Sequence, residues 1–119
     1  MKVTLTKQSS ITIDAAELWS GVMGSGWETF PWWQSVRYLE GDWDVPGRVQ
    51  VSVSNPDAPD ADIDIIQVDL DALILAVKIV AAQGYVDACT GADINWEDID
   101  ACVGDLVMQI AVLGEETYA

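Results

Sequence analysis

Short stretches of alternating apolar and polar residues, interleaved with runs whose apolar positions recur three and four apart, predict a mixture of strands and helices. Val3 to Thr6 and Ser10 to Ile13 are β-branched and alternating, and predict two short strands or one bent strand. Asp14 suits an N-cap, and Glu17 three residues on completes a capping box. A helix from about Ala15 to Met23 follows, burying Leu18, Trp19 and Val22 and ending at Gly24-Ser25-Gly26. Thr29 or Phe30 can cap a second helix with Pro31 in its first turn and Trp32, Trp33, Val36 and Leu39 towards the core. Gly41 to Gly47 reads as a turn. Val49, Val51 and Val53 mark a half-buried strand from Arg48 to Ser54. After a loop over residues 55–60, Ile63, Ile65 and Val68 mark its partner, giving a hairpin at about 48–54/62–68.

Asp69 caps a third helix, Leu70 to Gln83, with Gly84 just past its end. Apolar residues cover nearly its whole circumference, as in a helix that is central or that meets a second copy. Asn95 or Trp96 starts a fourth, with Ile99, Cys102, Val103, Leu106, Ile110 and Leu113 as its stripe and Gly114 as its stop. The expected fold is α+β: a small antiparallel sheet, the hairpin plus an N-terminal strand, packed against about four helices. No linker and no repeat splits the chain, so residues 1–119 are expected to form a single domain.

Composition narrows the function more than the fold. Half of the 119 residues are hydrophobic, enough to build a core. Twenty acidic residues face five basic ones, a net charge of −15. Such a chain repels phosphate, which excludes direct binding to nucleic acid or to an anionic membrane, and it meets basic partners quickly. The alternative reading of the charge is solubility alone. Leu70 to Ala82, the longest apolar run, contains Asp71 and Lys78 and falls short of the roughly 20 residues a membrane span needs. With no signal-like N-terminal segment either, a soluble, cytoplasmic protein is expected.

Catalytic signals are scarce. Histidine is absent, which removes the commonest general base and metal ligand. Cys89 and Cys102 are too few for a disulfide scaffold and lack Cys-x-x-Cys spacing, so Cys102 reads as a core thiol and no zinc site is expected. Asp60-x-Asp62-x-Asp64 opens like a calcium loop, but Ile65 stands where the sharp turn needs glycine and Asp71 where the loop needs glutamate. Carboxylates near tryptophans (Glu28, Glu40, Asp42 and Asp44 with Trp27, Trp32, Trp33 and Trp43) suit sugar stacking, but indoles used as core bulk explain them more simply. No catalysis, cofactor or metal is expected.

On an extended strand Asp60, Asp62 and Asp64 would project from one face about 6.6 Å apart, a spacing akin to nucleic-acid phosphates. Asp57, Glu40, Asp42 and Asp44 could extend that row from neighbouring loops. The runs Glu17-Leu18-Trp19, Gly24-Ser25-Gly26-Trp27-Glu28-Thr29, Trp32-Trp33 and Asp42-Trp43-Asp44-x-Pro46-Gly47-Arg48-Val49 resemble small acidic, Trp-rich proteins encoded by bacteriophages. The ending from Asp98-x-Asp100-Ala101 through Asp105 to Gly114-Glu115 is similar to them too. That family carries no known function, so the resemblance implies only a phage origin and a host-cytoplasm setting.

The leading expectation is a non-enzymatic binder that inhibits a host DNA-handling or anti-phage defence protein, such as a CRISPR or restriction complex, through a DNA-like acidic face. Asp57, Asp60, Asp62 and Asp64, with Glu40, Asp42 and Asp44, would carry it, and exposed tryptophan edges would anchor it. A homo-oligomeric phage structural or accessory module built on the helix at 70–83 is one alternative. A sequestering protein, with a small molecule in a Trp-lined pocket near Arg37, Arg48 and Lys78, is another.

Overall fold

The computed structural model describes residues 2–6, 10–29, 32–54 and 63–114. Strand β1 (Lys2–Thr6) pairs antiparallel with β2 (Ser10–Asp14), in a register that sets Val3 opposite Ile13. Val3, Leu5 and Ile13 are buried. This hairpin forms its own two-stranded sheet instead of adding a strand to a single sheet, which corrects the sequence expectation. Two strands alone are marginal, and these two are stabilised by packing on helices.

Helix α1 (Ala15–Met23) follows β2 directly, with the Asp14 carboxylate accepting from the Ala16 N–H at 3.0 Å. It buries Leu18, Trp19, Val22 and Met23. A single 3-10 turn at Trp27–Thr29 comes next. The helix expected after Pro31 is absent, and the chain forms strand β3 (Ser35–Glu40) there. Trp32, Val36 and Leu39 fit a helical period, but Val36 and Tyr38 fit a strand period equally well. Pairing decides: Val36 and Tyr38 sit opposite Val51 and Val49 of β4 (Arg48–Ser54), with Arg37 exposed on the other face.

β5 (Ile63–Asp69) completes a three-stranded antiparallel sheet in the order β3-β4-β5. The hairpin at 48–54 thus forms as the sequence predicts, but β5 presents its other face. Val49, Val51 and Val53 stand opposite Val68, Ile66 and Asp64, so Ile66 and Val68 turn to the core and Ile65 is 61% exposed beside Ser52. Adjacent isoleucines fit either phase, and the three valines choose between them.

Helix α2 (Leu70–Gln83) starts at the Asp69 cap and stops at left-handed Gly84 (φ 75°). It buries Leu73, Ile74, Ala76, Val77 and Val80 but leaves Leu75 60% exposed, so it is not the central helix. That place belongs to α3 (Ala101–Leu113), buried at every position from Val103 to Ile110. It begins six residues later than Asn95, because the Asn95 carboxamide turns the chain by accepting from the Glu97 N–H and Asp100 supplies the cap. Three α-helices and one 3-10 turn therefore stand among the described residues, against about four helices expected. Gly104 permits the closest approach in the helical layer: a Cβ there would fall 1.9 Å from Ser25 Oγ. The buried side chains of both sheets and all three helices form one cluster, in a compact molecule with a radius of gyration of 13.8 Å. No helix among the described residues is long and apolar enough to cross a membrane.

Candidate protein-binding surface

The connection between β3 and β4 is a tip built by its own acidic side chains. Asp42 Oδ1 accepts from the N–H groups of Asp44 and Val45, each at 2.8 Å, and the Asp42 N–H donates to Val45 O at 3.0 Å. Gly41 (φ 70°) is required because a Cβ there would meet Val45 O at 2.2 Å. The tip is tied to α1 by the Trp19 indole N–H, which donates to Asp42 O at 2.8 Å. Trp43 leans on Gly24 at the end of α1, where a Cβ would come within 2.9 Å of Cε3. Its remaining surface is open, with Trp43 55% and Val45 54% exposed. At the base of the tip Arg48 pairs with Glu40. The result is a preorganised projection: an indole and a valine in solvent, flanked by Asp42 and Asp44.

The sequence-derived acidic row divides here. Glu40, Asp42 and Asp44 belong to the tip, whereas Asp64 pairs with Val53 at the far end of β4, about 17 Å away by strand rise. Asp64 is exposed. Asp57, Asp60 and Asp62 lie outside the described residues. Glu40 is engaged by Arg48, Asp42 by the turn, and Asp44 and Asp64 make no ion pair among the described residues. Elsewhere Glu17, Glu28, Asp71, Asp93, Glu97 and Asp98 are exposed, and among the described residues the ion pairs are Lys2–Asp14 and Arg48–Glu40.

Of the six tryptophans, Trp19, Trp27, Trp32 and Trp96 are buried, Trp33 is half-buried and Trp43 is exposed. Trp27 stacks tilted on Trp32 (centroids 6.0 Å apart) and edge-on to Trp33 (6.2 Å). The Trp32 N–H donates to buried Asp105 Oδ1 at 2.5 Å, and the Gln109 amide donates to Oδ2 at 2.8 Å. Burial pushes the Asp105 carboxyl above its ordinary value, against the pull of these two donors. Burial also lifts Glu28, and together with the nearby charges of Glu28 and Asp42 it pushes the Tyr38 phenol up to about 12. A cavity of about 480 Å³ between β2, α1 and the segment before α3 is lined by Lys2, Asp14, Glu17, Trp96, Glu97 and Ile99, among others. Neither Arg37, Arg48 nor Lys78 reaches it.

A second cluster was not expected. Cys89 and Cys102 form a disulfide, their Cα atoms 5.9 Å apart, which corrects the reading of Cys102 as a core thiol. Asp87, buried, and Asp100, half-buried, lie against it, and their carboxyls are hydrogen-bonded to each other. Burial and this contact push Asp100 above the usual carboxylate range. A sequence signal for the cluster exists in Val86-Asp87-Ala88-Cys89-Thr90-Gly91, echoed by Ile99-Asp100-Ala101-Cys102-Val103-Gly104, a short repeat that corrects the expectation of none. No protein-family model, curated protein or solved structure matches the chain.

Proposed function

We propose that the chain is a phage-encoded, non-enzymatic binding protein that docks on the basic surface of a host DNA-handling or defence protein, such as a CRISPR or restriction complex, and inhibits it by standing in for DNA. The phage origin rests on the sequence resemblance alone. The observation that carries the binding role is the β3–β4 tip, where Trp43, between Asp42 and Asp44, and Val45 beside them are exposed on a chain of net charge −15. An indole rigidly seated at the centre of an acidic patch has the make-up of an interface anchor. Asp44, exposed and without an ion pair among the described residues, supplies steering and discrimination against acidic partners. A basic partner is preferred over nucleic acid itself because phosphates would meet the same repulsion.

The test is capture of bacterial lysate proteins on the tagged chain at low and high salt, with duplex DNA as competitor. The proposal expects a nucleic-acid-binding protein that is released by salt and by DNA, and weakly retained by Trp43→Ala or by the pair Asp44→Lys and Asp64→Lys. Capture that survives those substitutions, with folding intact by circular dichroism, refutes it. Leu75, 60% exposed on α2, favours a second reading, a homo-oligomer closed over that helix. Sedimentation would then show a discrete oligomer that Leu75→Glu dissociates.

A further inference from the structure

We propose that, once its disulfide is reduced, the chain binds a zinc ion between Cys89, Cys102, Asp87 and Asp100. One potential ligand atom from each of these residues lies within 4.8 Å of all the others. That is the scale of a tetrahedral site, whose sulfurs at about 2.3 Å from zinc stand about 3.8 Å apart. Two thiolates with two carboxylates form a donor set of mixed softness that suits zinc over magnesium or calcium.

The local backbone prepares all four groups. Asp87 Oδ1 accepts from the Cys89 N–H at 2.9 Å, and the Asp100 carboxylate accepts from the Cys102 N–H and, at 2.9 Å, from the Val103 N–H. Each Asp-Ala-Cys unit thus orients its own carboxylate beside its own thiol, leaving an oxygen for the metal, as outer hydrogen bonds do in metal sites. The first unit is held by a tight loop in which the Gly91 N–H donates to Asp87 O at 2.7 Å, the second by the first turn of α3. Asp87 is 8% exposed, and no Lys or Arg among the described residues pairs with either carboxylate. A cation between these carboxyls would take the place of the hydrogen bond that now joins them.

The chemistry balances in two steps. A dithiol reductant transfers two electrons and two protons to the Cys89–Cys102 bond, giving two thiols and the reductant's own disulfide. Zinc then replaces both thiol protons and the proton held between the two carboxyls, all released to solvent, and the two sulfurs separate to their ligand positions. The disulfide and the metal are mutually exclusive, so a reducing compartment selects the metal form.

The experiment reduces the full chain anaerobically with a phosphine, removes the excess, and titrates zinc against a chromogenic chelator. Cobalt in parallel reports the donors through its thiolate charge-transfer band and tetrahedral visible bands. The reduced chain is expected to take up one metal per molecule with that thiolate signature, and the oxidised chain to bind at least a hundredfold more weakly. Asp100→Asn, which keeps a good helix cap, should weaken zinc by about tenfold or more. Cys89→Ser should abolish the thiolate band of a two-sulfur site. If the reduced chain loses its helical circular dichroism, zinc must restore it. Equal uptake by both redox forms, a cobalt spectrum without thiolate, or failure of zinc to refold a reduced chain would each overturn the assignment.

Discussion

Replacing Asp105 by alanine removes the acceptor that fixes two elements to each other. The Trp32 N–H, from the segment between the 3-10 turn and β3, and the Gln109 amide one turn along α3 both donate to this carboxylate at 2.5 and 2.8 Å. Trp32 is 7% and Gln109 1% exposed, so water replaces neither bond at no cost. A buried indole N–H stripped of its acceptor costs about 1–3 kcal/mol, and a hydrogen bond to a charged group contributes about 1.5–3 kcal/mol. Relief of the buried carboxylate's own desolvation offsets part of this, leaving a net loss of about 2–4 kcal/mol. Asp105→Asn keeps an acceptor for Trp32 but sets its NH2 against the Gln109 amide, so its cost, about 1–2 kcal/mol, falls below that of alanine. Urea unfolding followed by tryptophan fluorescence and far-ultraviolet circular dichroism measures both. The pH dependence supplies an internal control. The Asp105 carboxyl is raised in the folded state from 3.8, so above that value the folded chain holds a proton that the unfolded chain has released. Stability contributed by the protonated form is therefore lost as pH rises through the folded value, and Asp105→Asn lacks this loss. An alanine variant within about 0.5 kcal/mol of wild type, or an asparagine variant as costly as alanine, refutes the reasoning.

Three further outcomes are expected. Tyr38→Phe deletes a buried hydroxyl that makes no hydrogen bond among the described residues, and should leave stability unchanged or raise it by up to about 1 kcal/mol; in an ultraviolet titration one tyrosine, ionising near 12, should disappear. Gly104→Ala drives a Cβ into Ser25 Oγ, and the overpacking of about 1–3 kcal/mol should outweigh the roughly 1 kcal/mol gained from helix propensity, lowering the urea midpoint. Reducing the Cys89–Cys102 bond frees a loop spanning 13 positions, and in metal-free buffer should cost about 3 kcal/mol by calorimetry.

Elements whose signals are local were legible in the sequence. Val49, Val51 and Val53 mark β4 from Arg48 to Ser54, and the Asp69 and Gly84 punctuation marks α2, because alternation and caps act over a few residues. β3 was not legible: Trp32, Val36 and Leu39 match one period and Val36 and Tyr38 the other, and only pairing with Val49 and Val51 chooses between them. The phase of β5 failed for the same reason, with Ile65 and Ile66 each able to face inward until β4 is fixed. At the candidate site, Gly41 to Gly47 announced a turn carrying Asp42 and Asp44, and the tip is there. The distance that separates it from Asp64 depends on hairpin register, which no composition records. The cysteine pairing was hidden similarly, although the duplicated Asp-Ala-Cys spacing marked both of its halves.

The carboxylates of this chain fall into two groups that salt should affect in opposite ways. Asp14, Asp42, Asp69, Asp87, Asp100 and Asp105 are committed to N–H donors at helix starts, in the tip, in the loop before α3 or inside it. Their contacts are short and local, so screening reaches them weakly. Asp44, Asp64, Asp71 and Asp93 are exposed and unpaired among the described residues, so in the free chain their mutual repulsion opposes folding. Added salt relieves that repulsion and should raise the unfolding midpoint. The same screening removes the attraction that a basic partner would feel, so the midpoint should climb while capture of the partner falls. A protein whose acidity served solubility alone would show the first effect without the second, and parallel salt titrations of unfolding and of binding distinguish the two cases.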